Sequence, residues 1–449
     1  MLKGEFMRKG SSIPAFTLFA TIVAAFGGLL FGYHTAVISG ALLFLENVFS
    51  LSIFEQQLIV STILLGALLS AIFGGSLADH FGRRVTLFLT SFLFIIGTYL
   101  LSSAYSIFEL IVGRFITGLG VGLASLVVPL YIAEMSPSKN RGMLVSFNQF
   151  AITIGILSAF LINYGFAREA GWRWMFGLAF IPSFLQLIGL FFITDTPSWF
   201  ISHGKRAKAY NILEKTRKVR KDEEVLADKN ISRKEAKFKH LFDKSVRPAF
   251  LVGVGLSVFQ QITGINTVIY YAPRIFQLAG FETAKSAILA TLTVGIVNVA
   301  VTILALWLID RIGRRPLLIV GTLGMAIALA VLGIFFAIPT NTGFVAVIAV
   351  IAYVCFFAIG LGPIAWLIIS EIFPLRVRGR AMGVAVFSNW FSNYIVSLTF
   401  LTLINVLGTS FTFWLYALIC LIALWFVFRK VPETKGKSLE QIQKFWIKR

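Results

Sequence analysis

The stretch Asp79-His-Phe-Gly-Arg-Arg84 decides the fold, because it recurs 231 residues later as Asp310-Arg-Ile-Gly-Arg-Arg315. A second pattern, Glu134-x-x-Pro-x-x-x-Arg141-Gly, recurs 237 residues later as Glu371-x-x-Pro-x-x-x-Arg378-Gly. One motif can repeat by chance, but two motifs in the same order at nearly the same offset indicate an internal duplication. The sequence therefore predicts two parallel copies of one structural unit.

The composition shows what lies around these motifs. Of the 449 residues, 57% are hydrophobic and 13% are charged, whereas soluble domains are roughly 45–50% apolar and about 25% charged. A water-soluble enzyme is therefore excluded. The 40 Lys and Arg outnumber the 20 Asp and Glu, but a cationic nucleic-acid binder carries its charge on a polar chain. We expect no nucleic-acid partner and place the charge in loops between apolar segments.

The apolar segments are long enough to cross a lipid bilayer, which takes about 20 apolar residues. We predict an all-α integral membrane protein with twelve transmembrane helices in two six-helix bundles. Residues 1–202 form the first bundle, residues 203–247 a cytoplasmic helical linker, and residues 248–449 the second bundle with a cytoplasmic tail. The predicted spans are 15–42, 57–78, 86–104, 107–133, 143–165, 174–194, 248–277, 285–309, 316–338, 343–371, 381–405 and 409–429.

Positive charge predicts the orientation, because Lys and Arg are retained on the cytoplasmic side of a membrane. The linker is rich in both, and the repeated Arg-Arg pairs fall on its side of the membrane if the spans alternate. Both termini are then cytoplasmic. The one Asn-x-Ser/Thr sequence, Asn230-Ile-Ser232, lies in the linker, where glycosylation does not occur. This position is consistent with a bacterial inner membrane.

The repeated loop motifs place acids and arginines together at one membrane face. The simpler interpretation is a tight turn that positive charge retains in the cytoplasm. The alternative is a cytoplasmic latch, a set of ion pairs that breaks and re-forms as one bundle rocks against the other. The residues predicted for this latch are Asp79, Arg83, Arg84, Glu134, Arg141, Asp310, Arg314, Arg315, Glu371 and Arg378.

Further motifs follow one another along nearly the whole chain. In order they are Gly27-Gly-Leu-Leu-Phe-Gly-Tyr33, Gly113-Arg114, Pro129-x-Tyr131-x-x-Glu134, Gln260-Gln261-x-x-Gly264-x-Asn266, Gly360-x-Gly362-Pro363 and Pro432-Glu-Thr-Lys-Gly436. With them the chain resembles the sugar porter family of the major facilitator superfamily, which includes bacterial proton-coupled xylose and glucose symporters and animal facilitative glucose transporters. The resemblance implies alternating access around one sugar held at the membrane midplane.

Uncharged amides inside the predicted spans form the candidate binding site, because a polar group is costly there. An amide both donates and accepts hydrogen bonds, as a sugar hydroxyl requires. Hydrogen bonds between helices are the alternative explanation, and the adjacent pair Gln260-Gln261 with Asn266 favours a ligand. Asn393 is a further amide of this kind. The resemblance implies that sugar contacts the positions of Gln149, Gln260, Gln261, Asn266, Asn298, Trp366 and Asn389.

Aromatic residues near these amides complete the predicted site, since sugar rings pack their C–H faces on aromatic rings. Phe31 and Trp390 are included for this reason, although packing against other helices or lipid is the alternative. The resemblance implies that Tyr270 and Tyr271 help to close an outer gate. Where the bacterial xylose symporter has a second glutamine, this chain has Ile156, so a hexose such as glucose is as acceptable as a pentose such as xylose.

A departure from the family lies in the first span. Proton-coupled members carry aspartate in a Phe-Gly-Tyr-Asp sequence, and this chain reads Phe31-Gly-Tyr-His34. The resemblance makes Arg114 the partner of the missing acid. Because a buried guanidinium and desolvation both disfavour a second positive charge, we expect His34 to be neutral at pH 7 and transport to be passive. Proton coupling through His34 and a simple packing role are the alternatives.

Other classes of function are weaker interpretations. The spans carry no paired carboxylates, His/Cys metal cluster or Ser/His nucleophile set, so we expect no enzyme activity, cofactor or metal. A non-transporting sugar sensor would need longer tails than this chain has. A carrier of a polyol such as inositol stays open. We therefore expect a sugar transporter whose partners are the sugar, the lipid bilayer and, in the coupled alternative, protons.

Overall fold

A computed structural model of the chain describes residues 13–137, 140–167, 171–217, 238–244, 246–338, 343–374, 377–435 and 437. The regular secondary structure of these residues is helical throughout. The chain folds into two halves of similar plan, each with six membrane-spanning segments. The twelve predicted spans of the all-helical fold are thereby confirmed.

Eight helices build the first half. They are α1 (Ala15–Ala36), α2 (Ile38–Phe49), α3 (Ile53–Phe81), α4 (Arg83–Ser103), α5 (Ile107–Met135), α6 (Arg141–Gly165), α7 (Trp172–Gly177) and α8 (Phe180–Phe191). Helices α1 and α2 together form one span, and α7 and α8 form another. The first span thus ends at Phe49 rather than at residue 42, because α2 continues the helix beyond a break at Val37.

Short helices follow just before the linker and in the part of it that the structure describes. These are α9 (Pro197–Ser202), α10 (Arg206–Arg217) and a 3₁₀ turn at Phe238–Phe242. The linker is fixed to the first span, because the Thr17 hydroxyl donates a hydrogen bond of 3.3 Å to the carbonyl of Thr216. We call the membrane face that carries α10 and the turns at Gly82 and Gly313 the linker face, and the opposite one the far face.

Eight helices also build the second half. They are α11 (Arg247–Ile262), α12 (Ile265–Leu278), α13 (Ala284–Ile312), α14 (Arg314–Ala337), α15 (Gly343–Ile359), α16 (Leu361–Ile372), α17 (Arg378–Leu407) and α18 (Thr409–Lys430). Two spans are broken in mid-membrane. Gly264 separates α11 from α12 with φ of 96°, a value that only glycine adopts without strain, and Gly360 separates α15 from α16.

Small residues let helices of the first half approach closely. A Cβ atom on Gly32 of α1 would lie 2.0 Å from the carbonyl oxygen of Ile152 on α6, and one on Gly155 would lie 2.0 Å from that of Leu29. Only glycine fits such contacts, which are typical of membrane helices. Many large apolar side chains instead point outward, among them Phe73, which is 67% exposed. The outer surface is therefore suited to lipid.

The two halves meet on the far face. Helix α3 packs on α17, α6 packs on α13, and α2 packs on α12. Near the far ends of α3 and α17, the Gln57 amide donates to the Thr402 hydroxyl at 3.0 Å. Glu46 of α2 and Arg274 of α12 form an ion pair at 3.3 Å. The structure is thus a conformation in which the far face is closed.

Candidate functional site

The first repeated motif forms an ion-pair cluster on the linker face. The Arg83 guanidinium lies 2.9 Å from the carboxylate of Asp79, one helical turn earlier. It also donates a hydrogen bond of 3.1 Å to Glu134 of α5. The Arg84 side chain donates at 2.8 Å to the carbonyl of Leu190 on α8. The motif therefore fastens α3 and α4 to α5 and α8 within the first half.

The second copy repeats this arrangement in the second half. The Arg314 guanidinium lies 3.4 Å from Glu371 of α16, and the Arg315 side chain donates at 2.7 Å to the carbonyl of Phe428 on α18. The Arg378 side chain donates to the carbonyl of Phe373, which closes the end of α16. The two clusters thus share one plan, as the sequence repeat implies.

These contacts bear on the predicted latch. In this conformation Arg83 pairs with Glu134 and Arg314 with Glu371, so each of these ion pairs joins helices of a single half. Arg141 is exposed, and the side chain of Asp310 lies outside the described residues. A latch between the two halves stays a prediction for a conformation whose linker face is closed.

Two acids that the sequence analysis did not assign to these clusters complete them. Asp195 accepts hydrogen bonds from the backbone N–H groups of Arg83 and Arg84, at 2.9 and 3.3 Å. Glu433 accepts equivalent bonds from Arg314 and Arg315, at 3.1 and 2.9 Å. Each acid therefore caps the first turn of a membrane helix, where N–H groups are otherwise unpaired and a negative charge is favoured.

The two caps differ in their electrostatic environment. Burial raises the pKa of Asp195 above its ordinary value, although three backbone N–H donors and Arg83 act in the opposite direction. Burial also acts to raise the pKa of Glu433, but four backbone N–H donors outweigh it and the net pKa is lowered. Each capping acid is followed by a threonine, in Asp195-Thr196 and Glu433-Thr434, and this repeated pair was the sequence signal for the two caps.

Four of the predicted amides form one connected network in the second half. The Asn389 amide donates to Gln260 at 2.8 Å and accepts from Gln261 at 3.1 Å. Asn266 donates to Gln261 at 2.6 Å. The network thus joins α11, α12 and α17 next to the break at Gly264. Because each link is between uncharged groups, it presents neutral donors and acceptors.

The network also reaches the break between α15 and α16. The Gln260 amide donates to the carbonyls of Leu361 and Gly362, both at 2.9 Å. These carbonyls lie in the first turn after Gly360. The structure therefore brings together the glutamine pair and the Gly-x-Gly-Pro motif, which are about 100 residues apart in sequence.

The other predicted binding residues are half-buried. Gln149 of α6, Asn298 of α13 and Trp366 of α16 are neither fully buried nor fully exposed. Within the described part of the chain their side chains make no hydrogen bond, so they keep free capacity for a ligand. Phe31 of α1 lies against Trp390 of α17, with ring centroids 5.7 Å apart. This ring pair crosses from one half to the other beside Asn389.

The two tyrosines predicted as gate residues are buried against α17. The Tyr270 hydroxyl accepts a hydrogen bond of 3.3 Å from Asn393, and the Tyr271 hydroxyl donates one of 3.0 Å to the carbonyl of Ser397. Both tyrosines belong to α12, which starts at the amide network and runs to the far face. They therefore hold this half-helix to α17 in the far-closed conformation.

His34 and Arg114 are both fully buried in the first half. The His34 ring stacks on Phe94 with centroids 5.0 Å apart, and its Nε2 atom lies 3.5 Å from the Thr98 hydroxyl. The Arg114 guanidinium donates to backbone carbonyls, including that of His34 at 2.6 Å and that of Ile59 at 3.2 Å. Among the described residues no carboxylate pairs with Arg114. The two predicted partners are neighbours, but their contact runs through the backbone.

Two halves of six spans each, with a neutral polar site beside broken helices, define a membrane transporter of the major facilitator superfamily. The sequence model of the family described as "Sugar (and other) transporter" matches residues 20–446. The chain therefore belongs to this family, the sugar porters, and is a multi-pass sugar transporter.

Individual relatives support the same family over the whole length. The chain is 40% identical over 440 residues to a D-xylose transporter of Levilactobacillus brevis, covering 95% of both. It is 38% identical over 454 residues to a galactose-proton symporter of Escherichia coli K12, covering 98% of this chain and 97% of that one. It also resembles the inward open conformation of the xylose transporter XylE from E. coli. That likeness has a TM-score of 0.82 and 36% identity, over 96% of this chain and all of the other.

Proposed function

We propose that the protein carries a monosaccharide, either a hexose such as glucose or a pentose such as xylose, across the cell membrane by alternating access. The observation that carries this proposal is the amide network of Gln260, Gln261, Asn266 and Asn389. These groups hydrogen-bond one another and can exchange those bonds for bonds to hydroxyl groups. Because no charged side chain belongs to the network, it suits an uncharged ligand with many hydroxyls.

Residues from both halves complete the proposed site. Gln149 from the first half and Asn298 from the second supply free amides, while Trp366 and the Phe31–Trp390 pair supply aromatic faces. A ligand between the halves makes different contacts in each conformation, and such differential contact is what alternating access requires. We assign Tyr270 and Tyr271 to the far-face gate, because they attach α12 to α17.

We further propose that transport is facilitated diffusion. His34 stands where the proton-coupled members have an acid, and its ring is stacked on Phe94 and buried beside a permanent positive charge. A second positive charge in that position is unfavourable because it is desolvated and repelled. The match to a galactose-proton symporter favours the alternative, coupling through His34. Sugar-driven alkalinisation of the medium by cells that contain the protein would contradict passive transport.

The linker face is proposed to be cytoplasmic, since it carries the arginine clusters and the basic linker. The far-closed conformation is then open toward the cytoplasm, in line with the inward open relative. The protein is proposed to act as a carrier with no enzymatic step. Its ion-pair clusters on the linker face are proposed to form the cytoplasmic latch when that face closes.

A panel of labelled sugars tests the proposal. Purified protein in liposomes is expected to take up one or more of D-glucose, D-galactose, D-fructose and D-xylose faster than protein-free liposomes. Unlabelled sugar should compete, and myo-inositol should serve as the polyol comparison. Preferential uptake of myo-inositol would reassign the substrate to the polyols. Absence of uptake of every sugar, with protein shown to be folded and inserted, would contradict transport by this site.

A further inference from the structure

An ion pair between Glu46 and Arg274 lies on the far face, and neither residue belongs to the binding site or the gate proposed so far. Glu46 and Arg274 face each other through both carboxylate oxygens, with Nη1–Oε2 and Nη2–Oε1 distances of 3.3 and 3.4 Å. This is the two-point form of an arginine–carboxylate contact, at distances longer than the roughly 2.7–2.9 Å of the strongest pairs. Their positions 228 residues apart place one partner in each half of the molecule.

Both partners lie on half-helices that follow a break in a span. Glu46 is in the last turn of α2, which starts after the break at Val37. Arg274 is in the second half of α12, which starts after Gly264. A short helix beyond a break can move apart from the rest of its span, because the break interrupts the backbone hydrogen bonds. The ion pair therefore joins the two segments best placed to act as a gate.

One of these half-helices also carries a residue of the proposed binding site. Asn266 lies in the first turn of α12 and is bonded to the amide network. Arg274 follows eight residues later, about 12 Å along the helix axis. Ligand contacts at Asn266 and the ion pair at Arg274 thus act on the same half-helix, which continues through Pro273.

The ion pairs on the linker face have a different effect. Arg83–Glu134 and Arg314–Glu371 each lie within one half, so in this conformation they do not resist separation of the halves. Glu46–Arg274 does resist separation at the far face, together with the uncharged contact between Gln57 and Thr402.

We propose that Glu46 and Arg274 form an ion-pair lock on the far face, which stabilises the far-closed conformation and sets how often the transporter opens toward the far side. The inference rests on the proposed alternating-access function and adds gate residues to it. The side chains of Glu46 and Arg274 are 28% and 37% exposed, so water and salt screen the pair. An ion pair of this exposure changes a conformational equilibrium by about two- to five-fold.

Distances between spin labels on the two half-helices test the lock. Labels are placed at Val48→Cys and Leu278→Cys, two exposed positions, after Cys355→Ser and Cys420→Ser remove the native thiols. Glu46→Gln and Arg274→Gln should each raise the ratio of long to short distances by about two- to five-fold. The exchange Glu46→Arg with Arg274→Glu should restore the native ratio. Glu282→Gln, which removes an exposed far-face charge, should leave the ratio unchanged.

Unchanged distances in both single variants, or an exchange that restores nothing, would overturn the proposal. Salt provides a test that needs no charge variant. Raising ionic strength from about 0.01 M to about 1 M shortens the screening length from about 30 Å to about 3 Å, and should lengthen the distances in the labelled protein with Glu46 and Arg274 intact. Insensitivity to salt would count against the lock.

Sugar uptake by the native protein is measured in the same liposome preparation. If the native protein takes up sugar but the Glu46→Gln and Arg274→Gln variants leave the distances unchanged, only the lock is rejected. Absence of uptake would instead reject the proposed function on which it rests.

Discussion

Replacing Asn389 with alanine is the sharpest test of the binding site. The Asn389 side chain is 4% exposed and makes three hydrogen bonds, to the Ser257 carbonyl at 3.0 Å, to Gln260 at 2.8 Å and from Gln261 at 3.1 Å. Buried hydrogen bonds between membrane helices contribute about 0.6 kcal/mol each on average. The three together contribute about 2 kcal/mol. Their loss leaves both glutamines without their fixed orientation.

If that orientation is what binds sugar, about 2 kcal/mol corresponds to an increase of about 30-fold in Kd. Isothermal titration of the purified protein with its preferred sugar measures this change. Asn163→Ala is the matched control, because Asn163 is a fully buried amide bonded to the Val37 carbonyl and lies outside the network. It should lower the melting temperature but change Kd by less than about two-fold. Native affinity in a folded Asn389→Ala protein would refute the assignment.

Further predictions concern the caps and the helix break. Glu433→Gln should lower the melting temperature at pH 7, and the deficit should shrink on acidification. The lowered pKa of Glu433 means that its contribution is present above the ordinary glutamate pKa and is lost as pH falls through the lowered value. Asp195→Asn should show the opposite trend, since a raised pKa gives a contribution that is present at low pH and lost as pH rises. Melting curves between about pH 3 and pH 8 measure both, and parallel curves for the two variants would contradict the different environments. Gly264→Ala should destabilise the protein by about 1–3 kcal/mol, because φ is 96° and the added Cβ would lie 3.1 Å from Tyr416. Gly379→Ala, whose added Cβ meets no atom within 4 Å, is the control, and equal melting temperatures for the two would argue against strain at Gly264.

The sequence was sufficient to predict the number of spans and the two-fold repeat. The number of spans follows from span length and hydropathy alone. The two-fold repeat follows from the motifs that begin at Asp79 and Asp310. The breaks at Val37 and Gly264 were not predictable in the same way. The apolar run continues unchanged across Val37. Gly264 lies among Gln261, Thr263 and Asn266, and these polar residues predicted a binding site rather than a break in the helix.

Contacts between distant residues were also beyond the sequence. Asp195 caps α4 from 112 residues away, and Glu46 meets Arg274 across 228 residues. The Asp195-Thr and Glu433-Thr pairs indicate two related acids but not the helix that each one caps. Nothing local to Glu46 identifies Arg274, and that pair joins the halves in a far-closed conformation. The resemblance implied that Gln260 and Asn389 both contact the sugar, whereas the hydrogen bonds that join them required the structure.

Uptake of labelled sugar under an imposed pH gradient tests the central claim most directly. Native protein in liposomes should bring the internal sugar to the external concentration and no further, with or without a gradient, because His34, buried beside Arg114, is expected to stay neutral. A proton-coupled carrier with one proton per sugar would accumulate sugar up to about ten-fold for each unit of pH difference. His34→Asp, which restores the acid of the proton-coupled members beside Arg114, provides the comparison. Equilibration without accumulation by the native protein is the predicted result, and accumulation above equilibrium would contradict passive transport.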